Sequence, residues 1–103
     1  MATKDEIRVD IDGATAHVYV AGDVDMFSYD ALQNALTDTL SQGFSRIQVD
    51  LGGVRFFGSE GVRCLTDAKY AAEQAAIDFR IVKASRPVAV VLKITNLDGL
   101  LAL

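Results

Sequence analysis

The sequence predicts an α+β fold of the two-layer α/β kind, a four-stranded, mostly mixed sheet with its helices packed on one face. Three observations predict it. The hydrophobic periodicity changes along the chain in the order β-β-α-β-α-β-α, with no linker, repeat or low-complexity stretch to divide it. Polar residues alternate with apolar ones in all four strands, so one sheet face is solvated and the helices cover the other. A sheet buried on both faces would show continuous apolar strands instead. The connections from the second strand to the third and from the third to the fourth each pass through a helix, which makes them crossovers of the right-handed kind.

Each element has its own signal. Ile7, Val9 and Ile11 alternate with Arg8, Asp10 and Asp12; after the turn chemistry of Asp12-Gly13, Ala16, Val18 and Val20 alternate with His17 and Tyr19. That is a hairpin pattern. The first helix is expected from about Tyr29 to Gln42, with Leu32, Ala35, Leu36, Thr39 and Leu40 at helical spacing, Ser28 as N-cap and Gly43 as the stop. Ile47, Val49 and Leu51 then face one way and Arg46, Gln48 and Asp50 the other, and Gly52-Gly53 is expected to end that third strand. After the apolar segment Val54 to Phe57, a second helix is expected from Ser59 to about Ala76, with Val62, Leu65, Ala68, Ala72 and Ala75 as its inner stripe. The fourth strand is expected over Ile77 to Lys83. Ser85-Arg86-Pro87 opens a third helix at about Val88 to Thr95, and Asn96 to Gly99 form a turn before an apolar tail.

With 103 residues, half of them apolar and 23% charged, the chain reads as one domain, residues 1–103, able to bury a core without metal or disulfide staples. Disorder is excluded on that composition. The longest apolar runs, Val88 to Leu92 and Leu100 to Leu103, are far shorter than the roughly 18 residues that cross a bilayer, so no membrane insertion is expected. The opening Met-Ala-Thr-Lys-Asp-Glu lacks the basic and apolar regions of an export signal. Cys64 is the only cysteine, which precludes an intramolecular disulfide and suits a reducing compartment, so a cytoplasmic address is expected. A net charge of −4 with ten scattered basic residues argues against nucleic acid as a partner.

The segment from Val49 to Val62, Val-Asp-Leu-Gly-Gly-Val-Arg-Phe-Phe-Gly-Ser-Glu-Gly-Val, resembles the central signature of STAS domains, the family of bacterial anti-sigma factor antagonists and sulfate-transporter tails. The family pattern is a strand ending Asp-Leu, a short apolar link, and Asp-Ser-Ser/Thr-Gly-Leu opening a helix. Ala21-Gly22-Asp23-Val24-Asp25 resembles the family's Gly-Glu-Leu-Asp at the matching distance. The resemblance implies a STAS-like fold over nearly the whole chain and a partner-switching role in transcription regulation. It implies that Ser59 is the phosphorylation candidate and that the partner is an anti-sigma factor with a kinase fold, which releases a sigma factor when the unmodified surface binds it. A phosphate adds about −1.5 to −2 charges, enough to turn a docking surface into a repelling one. By position Asp25 matches an acidic residue near the serine. The implied partner-binding set is Asp23, Asp25, Phe57, Gly58, Ser59, Glu60 and Arg63, with Arg63 one turn past the serine. Two positions depart from the pattern: Gly58 stands where the family has Asp, and Glu60 where it has the second Ser or Thr. A divergent antagonist still phosphorylated on Ser59 and a module that docks without a covalent switch both follow, the latter as a scaffold in a transport or lipid-trafficking complex.

Plainer readings stand beside each residue. Ser59 is also a good helix N-cap, a role worth about 1 kcal/mol by itself, and Gly58 supplies freedom at a strand-to-helix turn. A nucleophile elbow is Gly-x-Ser-x-Gly, whereas Phe57 stands two before Ser59 and the only histidine, His17, lies on the polar face of a strand. No enzymatic activity is therefore expected. Cys64 reads as a small buried filler sooner than a redox thiol. Asp23 with Asp25 is too small a set for a metal, and Gly52-Gly53 lacks the Gly-Lys-Ser/Thr of a P-loop, so neither metal nor cofactor is expected. Of Phe56 and Phe57, one is expected in the core and the other as an exposed anchor. Met26 and Phe27 either pack inside or extend the same apolar patch.

Overall fold

The structure is a computed structural model that describes residues 6–102. Residues 1–5, on which the absence of an export signal was read, and residue 103 of the apolar tail lie outside the described residues. β1 (Glu6–Asp12) and β2 (Thr15–Val24) pair antiparallel around Gly13-Ala14. Gly13 takes φ +63°, the left-handed conformation that the first central position of a type II′ turn demands. There follow α1 (Tyr29–Leu40), β3 (Arg46–Phe57), α2 (Ser59–Gln74), β4 (Asp78–Ala84) and α3 (Arg86–Ile94), then a 3-10 turn at Asp98–Leu100. The sheet order is β1-β2-β3-β4, with β2, β3 and β4 mutually parallel. The expected mixed four-stranded sheet with three helices is therefore present.

Ala16, Val18 and Val20 of β2, Ile47, Val49 and Leu51 of β3 and Phe79 and Ile81 of β4 are buried. Leu32 and Leu36 of α1, Leu65, Ala68 and Ala72 of α2, and Val88 and Leu92 of α3 share that core. The alternate residues His17, Tyr19, Gln48, Asp50 and Arg80 remain partly or fully exposed, so the helices lie on one face. Pro87 falls in the first turn of α3, where its missing N–H costs nothing.

Several boundaries differ from the sequence pattern for physical reasons. β2 runs on to Val24, so the Ala21–Asp23 stretch is strand and not loop. β3 does not stop at Gly52-Gly53 but continues to Phe57, twelve residues against ten in β2. The two surplus residues are absorbed by register shifts, one between the pairs Tyr19–Asp50 and Ala21–Gly53, the other between Gly22–Val54 and Asp23–Phe56. Glycine gives room at the first. A Cβ on Gly52 would lie 2.6 Å from Lys83 Cδ and one on Gly53 3.0 Å from Ala21 Cβ, while Gly52 N–H donates to Asp50 Oδ1 at 2.8 Å.

Ser28 does not cap α1 through its side chain. Its hydroxyl donates to the Asp23 carbonyl at 2.8 Å and accepts the Asp25 N–H at 3.0 Å, and Asp25 Oδ1 accepts the N–H groups of Phe27 at 3.0 Å and Ser28 at 3.2 Å. The aspartate thus caps the turn that enters the helix. α1 ends at Leu40 and α2 at Gln74, each two residues short of expectation, and Ala75 is consequently exposed. The inner face of α2 is instead Gly61, Cys64, Leu65, Ala68 and Ala72.

Gly61 is the tightest point of that face, because a Cβ there would stand 2.5 Å from Cε1 and 2.6 Å from Cζ of the Phe57 ring. Overpacking of this kind costs about 1–3 kcal/mol, against the about 1 kcal/mol that alanine gains over glycine inside a helix. Gly61→Ala is therefore expected to lower the urea midpoint of unfolding. A midpoint at or above that of the wild type would mean that the Phe57 ring has room to yield.

Candidate functional site

The C-terminal ends of β2 and β3 meet at one point, since Val24 pairs with Phe57 and Gly58 N–H donates to the Val24 carbonyl at 2.9 Å. This bond sets the β2–α1 loop beside the start of α2. Of the residues expected to form a site, Asp23, Asp25, Gly58, Ser59 and Glu60 are gathered here. In parallel α/β structures the carboxyl ends of strands are where crossover loops leave open surface.

Gly58, in extended conformation, is the N-cap residue of α2, and its carbonyl accepts the Gly61 N–H at 3.0 Å. Ser59 is therefore the first helical residue and not the cap that its side chain would suit, and it is exposed. Its backbone N–H and that of Glu60 belong to the set that an α-helix leaves without intrahelical acceptors, so the helix presents partial positive charge here. Glu60 lies in this first turn, and its Oε1 stands 2.9 Å from where a Cβ on Gly58 would be, with the Phe56 ring 3.0 Å from the same point. An aspartate at position 58 would have to displace both groups.

Phe57 is corrected as a partner-binding residue: it is only 5% exposed and packs beneath Gly61. Its neighbour Phe56 takes the outward place, at 53% exposure. Met26 and Phe27 do not pack in the core. They stand 69% and 89% exposed in the turn that Asp25 caps. Asp23 faces Arg55, whose Nε lies 3.5 Å from Oδ1 in an exposed pair of small energetic weight. Arg55 is the surplus residue of the second register shift, a role that no sequence motif marks. The sequence shows it only as a lone cation inside the apolar run Val54 to Phe57. Arg63, one turn down α2, stands over the Tyr29 ring at 5.9 Å from its centroid, so it ties α2 to α1 as well as facing solvent.

His17 pairs with Gln48, seven residues before Val24 along β2. At about 3.3 Å per residue that is roughly 23 Å, too far to act on Ser59. The site therefore offers a hydroxyl, carboxylates and apolar surface for contact, without a histidine base for the serine.

A family model described as Mlab, STAS domain, matches residues 7–102, and the chain belongs to the STAS domain family. Among solved structures it is similar to an anti-sigma factor antagonist from Mycobacterium paratuberculosis, at 22% identity and TM-score 0.85 over 95% of this chain and 83% of that one. It is also similar to the anti-sigma factor antagonist SpoIIAA in its unphosphorylated form, at 17% identity and TM-score 0.79 over 94% of this chain and 86% of that one. The phosphorylated form of SpoIIAA from Bacillus matches at 16% identity and TM-score 0.74, over 94% of this chain and 89% of that one. At these identities the likeness is one of fold. No curated protein matches the sequence.

Cys64 lies under the site, fully buried, with its Sγ 4.0 Å from the Tyr29 carbonyl. Burial, reinforced by the charge of Asp67, pushes its thiol from 9.0 up to about 11. The thiolate is the reactive form, and this rise lowers its share at pH 8 by about a hundredfold. A disulfide reagent is thus expected to label Cys64 at least about a hundred times more slowly in the native protein than in urea. Equal rates would place the thiol at the surface.

Proposed function

We propose that this STAS domain is an anti-sigma factor antagonist, a protein that acts by binding and not by catalysis. Its partner is an anti-sigma factor with a kinase fold, docked on the surface around Ser59 in the cytoplasm, and docking releases a sigma factor. The observation that carries this reading is the exposed apolar group Met26, Phe27 and Phe56 at the end of the sheet where an exposed serine opens α2. Large apolar side chains left uncovered at one end of a sheet mark protein contact surfaces. The antagonists among the similar structures, one of them in a phosphorylated form, support the reading.

A phosphate on Ser59 would sit at the positive end of α2, which favours its charge, yet beside Glu60 and near Asp23 and Asp25, which oppose it. The domain would keep its fold while its docking surface became strongly negative. A second reading is favoured by Gly58 and Glu60, because a permanent carboxylate already occupies the first turn. In that reading the domain scaffolds a cytoplasmic transport or lipid-trafficking complex without a covalent switch.

Affinity purification from source cells separates the two. Wild type and Ser59→Ala are expected to retain the kinase-fold partner, and Ser59→Glu to weaken it at least about fivefold because a charge must be desolvated at the interface. Equal retention of transport subunits by all three baits would give the case to the scaffold.

A further inference from the structure

Among the described residues β1 is an edge of the sheet, hydrogen-bonded on one side, to β2. Ile7, Val9 and Ile11 lie opposite Val20, Val18 and Ala16 and so share the helix-covered face. The helices do not reach them fully: Val9 is 38% and Ile11 61% exposed. Edges normally carry charge to discourage pairing. Here Arg8 and Asp10 stand on the opposite face with opposite signs, Arg8 Nε 3.3 Å from Asp10 Oδ2 and its guanidinium 4.2 Å from the Tyr19 ring centroid.

We infer that β1 pairs antiparallel with β1 of a second copy about a twofold axis at Val9, joining two sheets into one of eight strands. The stretch Ile7–Ile11 of β1 is self-complementary in this register; beyond it Asp12 meets the acidic position 6 of the other copy at each end. Val9 meets Val9, Ile7 meets Ile11, and Arg8 meets Asp10 twice, with like faces together. Sliding by one residue would set apolar side chains against charged ones on opposite faces. Sliding by two in either direction would place Asp10 against Asp10 or Arg8 against Arg8. One register alone therefore joins apolar to apolar and cation to anion. Five paired residues per strand make a small interface, so the dimer is a weak, reversible one. Ser59 follows β3, two strands in from the edge, and stays open on both copies.

The test is sedimentation of the full chain from about 5 μM to about 1 mM, a span that captures weak dimers. The wild type is expected to dimerise with rising concentration, and less so in high salt. Arg8→Asp sets like charges across both symmetry-related pairs and is expected to weaken dimerisation about 30-fold. The charge swap Arg8→Asp with Asp10→Arg is expected to restore it, with circular dichroism showing all variants folded. Wild type that stays monomeric throughout, a dimer that Arg8→Asp leaves intact, or a charge swap that fails to restore the folded protein's dimer would each overturn the proposal.

Discussion

The fold turns on fitting twelve residues of β3 against ten of β2. Parallel strands cannot hold a ladder across such a mismatch unless the longer one bulges, and a bulge needs positions where no side chain blocks the neighbouring strand. Gly52 and Gly53 provide them, one under Lys83 and the other against Ala21. The far end of β3 then reaches Val24, and the bond from Gly58 N–H to the Val24 carbonyl starts α2 at that point.

Packing below the site is equally constrained. Phe57 fills the space under α2 only because Gly61 lacks a side chain, and Cys64 and Leu65 close the same layer without exposure. Above it the residues are of another kind. Phe56, Phe27 and Met26 gain nothing from the core, and such exposure is an energetic cost to an isolated domain that a partner would offset. The buried layer holds the first turn of α2 in place, and the exposed layer is the surface proposed to meet the partner.

Periodicity made most of this legible. Element order, the solvated sheet face and the position of Ser59 on the second helix follow from alternation and helical spacing. What it misread was backbone accommodation. Paired glycines usually end a strand, yet here they carry it on, because the clearance they provide is to neighbouring strands that a one-dimensional pattern does not display. Phe57 shows the limit from the other side. Two bulges shift the facing twice and cancel, so the inward parity of Ile47, Val49 and Leu51 holds again at Phe57. Val54, between the bulges, is buried out of that parity. Ser28 was misread because Asp25, three residues earlier, already supplies the cap and leaves the hydroxyl to bind the strand end.

The apolar side chains beside Ser59 are proposed to meet a partner protein. The most direct test is a photo-crosslinking residue at position 56, compared in living cells with the same residue at Val90, which is about as exposed on α3. Position 56 is expected to yield a discrete adduct to a kinase-fold protein, lost when Ser59 is also replaced by Glu, while position 90 yields none. Adducts from position 90 and none from position 56 would contradict the proposal.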